Sequence, residues 1–232
     1  MAHTEGLAIV VGARGGIGSA LLTQLQQRGV HAQVMGLSRR GDPAIDLLDE
    51  SSLAQAAARV RETGLPLRLM IDATGFLHGE GHTPEKSWQQ LDAARLAHNF
   101  AINAIGPALL MKHFLPLLAR DDRAVFATLS AKVGSIGDNR LGGWYGYRAA
   151  KAALNQLVHT AAIELRRRQP QALCVALHPG TVHTALSEPF AKTGLDVVSA
   201  ELAATRLLEV IEGLKAEDSG GFFNHDGSPL PW

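Results

Sequence analysis

The chain has a single cysteine, Cys174, among 232 residues, which excludes an internal disulfide and a cysteine-rich zinc site. It has no surplus of charge: Lys+Arg and Asp+Glu each total 22. A domain-wide surface for a polyanion such as nucleic acid is therefore not expected, although the balance leaves room for a local anion site. No run approaches the ~20 apolar residues that span a bilayer. The start, Met1-Ala2-His3-Thr4-Glu5-Gly6, lacks the basic and apolar segments of a signal peptide, so a cytoplasmic protein without a membrane partner is expected. Internal repeats, low-complexity tracts and Pro/Ser-rich linkers are also missing, so the chain reads as one domain, residues 1–232. With 46% apolar and 19% charged residues, that domain can bury a sizeable core.

Short apolar runs alternate with amphipathic stretches. Leu7–Val11, Gln33–Ser38, Leu67–Ala73, Ala124–Ser130 and Leu173–His178 read as strands, with Gly221–Phe223 as a short edge strand. Ile17–Arg28, Ser51–Glu62, Ser87–Ala119 (as two helices in sequence), Tyr145–Arg168 and Ser199–Lys215 read as helices. Nearly continuous apolar strands separated by helices predict an α/β fold, a parallel sheet covered on both faces. The irregular stretches Gly75–Lys86, Ala131–Trp144 and Pro179–Val198 all follow strands, at the sheet edge where such folds bind ligands.

Gly12-Ala13-Arg14-Gly15-Gly16-Ile17-Gly18 links the first strand to the first helix. Glycines there allow a tight turn, close approach of a pyrophosphate and close helix packing, with the phosphates facing the helix amides. The spacing, Gly-x3-Gly-x-Gly, carries no Walker lysine; the alternative is an ordinary glycine-rich turn. After the second strand comes Ser38-Arg39-Arg40, where an NAD site usually places an acid. A guanidinium matches a 2′-phosphate, and Arg14 could add a second cation, so NADP(H) is expected ahead of NAD(H). The other reading of these arginines is solvated surface charge.

Tyr147 and Lys151 lie four apart on one helix face. A nearby ammonium favours phenolate, and such a tyrosine can protonate an alkoxide or deprotonate an alcohol. Alone the pair is a weak signal. Together with Asp72-Ala73-Thr74-Gly75, Asn103 and Pro179-Gly180, in this order, it resembles the short-chain dehydrogenase/reductase family. Val133-Gly134-Ser135-Ile136, Tyr145-Gly146-Tyr147-Arg148 and the Pro231-Trp232 ending resemble its sniffer and C-factor-like carbonyl reductase branch.

The resemblance implies a single-domain Rossmann fold, a doubly wound seven-stranded parallel sheet. It implies Tyr147 as acid/base, Lys151 on the nicotinamide ribose, and Asp46 with Leu47 beside the adenine. Ala73, Thr74 and Gly75 would lie along the cofactor, as would Gly12, Arg14, Gly16, Ile17, Gly18, Ser38 and Arg39; Pro179, Gly180, Val182 and Thr184 would hold its nicotinamide end. Asn103 gains support from Pro107, which lacks an N–H and leaves the Asn103 carbonyl without its helical partner. A water on that carbonyl would join a proton relay to the lysine; a plain hydrated kink is the alternative.

Three positions depart from the family pattern. Val11 stands where threonine is frequent, Asp72-Ala73-Thr74-Gly75 replaces Asn-Asn-Ala-Gly, and Ala131 takes the place of the catalytic serine. The second hydroxyl then comes from Ser130, from Ser135 or from neither; Ser130 is preferred for its place at a strand end, provided the chain twists there. His78-Gly79-Glu80-Gly81-His82 reads as a polar loop rather than a metal site, and Arg166-Arg167-Arg168 as a complement to a helix dipole. Cys174 reads as core, while Trp144 and Trp232 either wall a pocket or pack. The expected activity is hydride transfer between NADP(H) and a small-molecule carbonyl or alcohol, with a homo-oligomer open. The alternatives are a nucleotide-sensing or signalling protein with little turnover and a reductase of an imine or activated alkene.

Overall fold

Leu7–Val11 (β1) is buried at all five positions, and its side chains alternate between two cores. Leu7, Ile9 and Val11 join one cluster, with Leu53 and Val60 of α2 (Glu50–Glu62), Leu110 and Phe114 of α4 (Gly106–Phe114), and Leu154 and Val158 of α5 (Tyr145–Arg168). Ala8 and Val10 join the other, with Leu21 and Leu25 of α1 (Gly16–Arg28) and Leu207 and Ile211 of α6 (Ala200–Gly213). A strand that buries both faces needs helices on both, which is why its apolar run is unbroken. The computed structural model describes residues 6–79, 81–187 and 197–232, and within them every rung of the main sheet is parallel.

The sheet order is β2 (Gln33–Leu37), β1, β3 (Leu67–Asp72), β4 (Ala124–Leu129), β5 (Ala172–His178), β8 (Phe222–Asn224). The chain runs outward from β1 to β2 and then crosses back to β3, so the winding reverses between β1 and β3. A crevice opens there at the carboxyl ends of the strands. A separate pair, β6 (Thr181–Val182) and β7 (Val197–Val198), lies in the stretch after β5.

Among the described residues the main sheet has six strands, not the seven implied by the family resemblance. The difference lies beyond β2. A parallel crossover needs a dozen or more residues, usually with a helix, and here residues 38–49 lead directly from β2 into α2. The rudiment of the seventh strand is one parallel bridge, Ser38 with Ala44. The Leu37 carbonyl accepts from Gly12 and Ala13 N–H, whereas the Ser38 carbonyl accepts from Ile45 N–H. Successive carbonyls point to opposite sides of a strand, which puts the bridge on the edge away from β1.

The long helical region expected between Ser87 and Ala119 resolves into α3 (Ala93–Phe100), a π-helical turn at Ala101–Ile105 and α4. The π turn ends just before Pro107, whose missing N–H removes a rung of the α ladder. By length and composition alone Ala93–Leu117 could cross a membrane. In this fold it packs beneath the sheet, burying Leu110, Met111 and Phe114.

Candidate active site

The glycine turn sits at the crevice. Gly12 adopts φ 80°, and a Cβ there would lie 2.9 Å from the Ala73 carbonyl oxygen, so β1 and β3 approach more closely than a side chain permits. A Cβ on Gly18 would strike the Gly12 carbonyl. A Cβ on Gly16 would meet the Thr184 methyl at 2.7 Å, which brings Thr184 against the turn although 168 positions separate the two. Helix α1 begins here with no side-chain cap and no acid in its first turn. Its open amides and dipole suit a phosphate at Gly16, Ile17 and Gly18. Arg14, Arg39 and Arg40 are exposed, and no ion pair ties them to any described residue, so three guanidiniums stand ready for an anion. Asp46 accepts from Leu48 N–H at 3.0 Å, and Leu47 packs against Gly106.

The next strand end carries a buried acid that in the sequence is only a departure from the family pattern. Asp72 is wholly buried and accepts from Thr74 N–H at 3.0 Å, Thr74 Oγ1 at 2.5 Å and Thr128 Oγ1 at 2.7 Å. This ties β3 to β4, supplying the cross-sheet link that the missing amide at Ala73 would otherwise give. Thr128 was the overlooked partner; a threonine within an apolar strand gave no sign of it.

Asn103, also wholly buried, uses its side chain rather than its backbone carbonyl as the visible anchor. Its Oδ1 accepts from Phe76 N–H at 2.9 Å and its Nδ2 donates to the Phe76 carbonyl at 2.7 Å. Nδ2 also donates to Asn99 Oδ1 at 3.2 Å. A Cβ on Gly75 would be 3.6 Å from Asn103 Oδ1 and 3.9 Å from Lys151 Nζ, so Gly75, Asn103 and Lys151 converge.

Lys151 is 2% exposed and donates to the Leu129 carbonyl at 2.8 Å. Burial pushes its ammonium down to about 8, against a smaller opposite pull from Asp72. Its Nζ lies 5.8 Å from the Tyr147 ring centroid. The sequence suggests that this cation lowers the phenol pKa; in the protein without cofactor, burial dominates and pushes Tyr147 up to about 12. Lys151, at about 8, gives up its proton before a phenol at about 12 ionises, so it does not oppose that rise in the protein without cofactor. Trp144 stands edge-on to Tyr147 at 6.2 Å and so belongs to the site, whereas Trp232 stacks on Phe222 at 5.9 Å.

Neither serine meets the tyrosine. Ser130 Oγ donates to Asn155 Oδ1 at 2.6 Å, and Ser135 Oγ donates to the Trp232 carbonyl at 3.3 Å while accepting from Asp138 N–H. Ala131, at the position expected for serine, is buried. On the far side of the crevice Pro179 and Gly180 follow β5, and the His225 ring packs against Gly180, which has φ 81°. Val182 is buried, and His78 Nε2 pairs with the Ala185 carbonyl at 3.0 Å, joining the loops after β3 and β5 across the opening. Glu80, between the two loop histidines, and residues 188–196 lie outside the described residues.

This arrangement brings the glycine turn, the Gly75–Asn103–Lys151 cluster and the tyrosine–lysine pair to one sheet edge. The sequence model for short chain dehydrogenase matches residues 6–194. The chain belongs to the short-chain dehydrogenase family. A 1-hydroxy-2-glutathionyl-2-methyl-3-butene dehydrogenase of Rhodococcus sp. (strain AD45) is 30% identical over 233 aligned positions, covering 97% of this chain and 98% of that protein. The NADPH-bound carbonyl reductase from chicken fatty liver superposes with a TM-score of 0.85 at 25% identity, over 97% of this chain and 94% of that one. The carbonyl reductase Sniffer of D. melanogaster superposes with a TM-score of 0.83 at 22% identity, over 98% and 99%. The short-chain dehydrogenase fold is thus shared across the whole chain, the missing strand notwithstanding.

Proposed function

We propose that this short-chain dehydrogenase is a cytoplasmic, NADP(H)-dependent oxidoreductase acting on a carbonyl/alcohol pair of a small or medium-sized, partly apolar substrate. The observation that carries the reading is the convergence of Gly75, Asn103 and Lys151 beside Tyr147, on the same sheet edge as the uncapped, glycine-lined start of α1. The bound dinucleotide would supply or accept the hydride. Gly12, Gly16, Ile17 and Gly18 would hold its pyrophosphate and Arg14, Ser38 and Arg39 its 2′-phosphate, with Asp46 and Leu47 beside the adenine. Ala73, Thr74 and Gly75 would lie along it, and Pro179, Gly180, Val182 and Thr184 at its nicotinamide end. Three exposed, unpaired arginines and no acid at the end of β2 support the phosphate.

Tyr147 gives its proton to the carbonyl oxygen in reduction and takes it back in oxidation, and a phenol held neutral by burial is poised to donate. Lys151 holds the ribose and, once its charge is stabilised there, eases ionisation of the phenol; Asn103 holds the Gly75-Phe76 backbone and a relay water. Ser130 serves as a second donor only by giving up its bond to Asn155, so the geometry favours Tyr147 acting without a serine. NADPH consumption measured across a panel of aldehydes and ketones, with Tyr147→Phe as control, tests the reading. Steady NADPH binding with no Tyr147-dependent turnover on any carbonyl would overturn it in favour of a nucleotide-sensing role.

A further inference from the structure

Helix α5 carries the tyrosine, and its first turn has no side-chain cap of its own. Its N-cap is Trp144, a bulky residue at φ 54°, with no capping side chain, and no acid stands in the first turn. Non-glycine residues rarely adopt this left-handed conformation, so other contacts must hold it. Arg148 supplies some, donating to the Gly142 and Gly143 carbonyls, and the loop between β3 and α3, 59 residues upstream, supplies others. The Glu85 carbonyl accepts from Trp144 N–H, and Glu85 Oε2 accepts from Gly146 N–H at 3.1 Å. Glu85 is 3% exposed and forms no ion pair with a described residue, so its carboxylate faces the amides and positive pole of α5. The fit is close: a Cβ on Gly146 would lie 3.0 Å from Glu85 Oε1 and 3.3 Å from Asn99 Nδ2. Asn99 in turn accepts from Asn103, which grips Phe76 at the start of the same loop.

We infer that Glu85 is the positioning residue of the catalytic helix, its buried carboxylate fixing the first turn of α5 and hence the phenol of Tyr147. The loop after β3 and the catalytic helix are thereby one unit, so the loop that borders the substrate sets the proton donor. The inference rests on the reductase reading for its effect on turnover, though not for its effect on the helix.

Glu85→Ala removes the acceptor, and Glu85→Gln keeps an acceptor oxygen while removing the charge. For Glu85→Ala, kcat with a carbonyl substrate should fall at least tenfold while KM for NADPH stays within threefold of wild type. Glu85→Gln should recover most of that loss. Amide hydrogen exchange at Gly146 and Tyr147 should quicken at least tenfold in Glu85→Ala and stay unchanged beyond Asn155. If Glu85→Ala does not fold, Glu85→Asp, which retracts the same carboxylate by one methylene, carries both measurements. Turnover within twofold of wild type in Glu85→Ala, equal losses in the Ala and Gln variants, or exchange quickened evenly along α5 would each overturn the inference. If the wild-type protein reduces no carbonyl, the reductase reading fails separately, and the exchange pattern alone decides the role of Glu85.

Discussion

At the scale of single residues, the buried Lys151 is costly to the unliganded protein. Its folded pKa of about 8 lies below the ordinary 10.5, so between those values the unfolded chain binds more protons than the folded one. Stability from this group therefore rises with pH through that window, and the full penalty applies below about pH 8. Lys151→Met should raise the stability of the unliganded protein by about 1–3 kcal/mol at pH 7, after allowance for the bond lost at the Leu129 carbonyl. Thermal melts should show that gain shrink as pH approaches 10, while the variant loses turnover. Tyr147 has the opposite sign: its folded pKa of about 12 lies above 10.0, so its contribution is lost as pH rises from about 10 to 12. Tyr147→Phe should remove turnover by roughly a hundredfold or more and leave NADPH affinity within a few fold. The serine question has a constructive test. If Tyr147 acts alone because position 131 lacks a hydroxyl, Ala131→Ser should raise kcat for carbonyl reduction about tenfold or more. Ser130→Ala should instead cost about 1–2 kcal/mol of stability, since it strands Asn155 Oδ1. A large fall in turnover of Ser130→Ala at unchanged stability would return the donor role to Ser130.

At the scale of elements, the π turn and its asparagine join packing to the site. Asn103→Ala would leave both Phe76 backbone groups without their partner in a buried place, at about 1–3 kcal/mol each. Denaturant unfolding should show a loss of about 2–5 kcal/mol, accompanied by weaker NADPH binding because Gly75 adjoins the freed backbone. The elements themselves were legible. The bounds of α5 are those expected, because Pro170 stops it and an alanine-rich run fills it, and β1 matches because both its faces are apolar. The cap of α2 is Asp49, two residues before the expected start at Ser51, since its carboxylate reaches Ser51 N–H at 3.0 Å. The glycine turn follows β1, Asp72-Ala73-Thr74-Gly75 closes β3 and Pro179-Gly180 follows β5, as expected, because each ends an apolar run. What lay hidden depends on contacts between residues far apart in the chain. The Asp72–Thr128 link, the Asn103 grip on Phe76 and the Glu85 support of Trp144 join residues with no local pattern. In the protein without cofactor the phenol pKa moves the other way for a similar reason: spacing shows a neighbouring charge but not the burial that outweighs it.

At the scale of the whole molecule, cofactor and fold share one equilibrium. A ligand at a hundred times its Kd stabilises the folded state by about 2.7 kcal/mol, so melting temperature reports binding. NADPH should raise it more than NADH, and Arg39→Asp should narrow or reverse the difference, by roughly ten- to hundredfold in affinity. Equal shifts with both cofactors in the wild-type protein would remove the argument from Ser38-Arg39-Arg40.

The short passage from β2 to α2 bears on more than the adenine end of the crevice. By omitting a strand and its crossover, it makes β2 the rim of the sheet, bridged only between Ser38 and Ala44. A bare rim invites another chain to add a strand, and natural sheets discourage this with charge, proline and brevity. Here β2 has five residues, and the bend that follows bears Arg39, Arg40 and Pro43. The guanidiniums assigned to a phosphate therefore stand guard over an open seam. Bringing two such rims together would oppose like charges, and neutralising both arginines would leave the chain more prone to stick to its own kind.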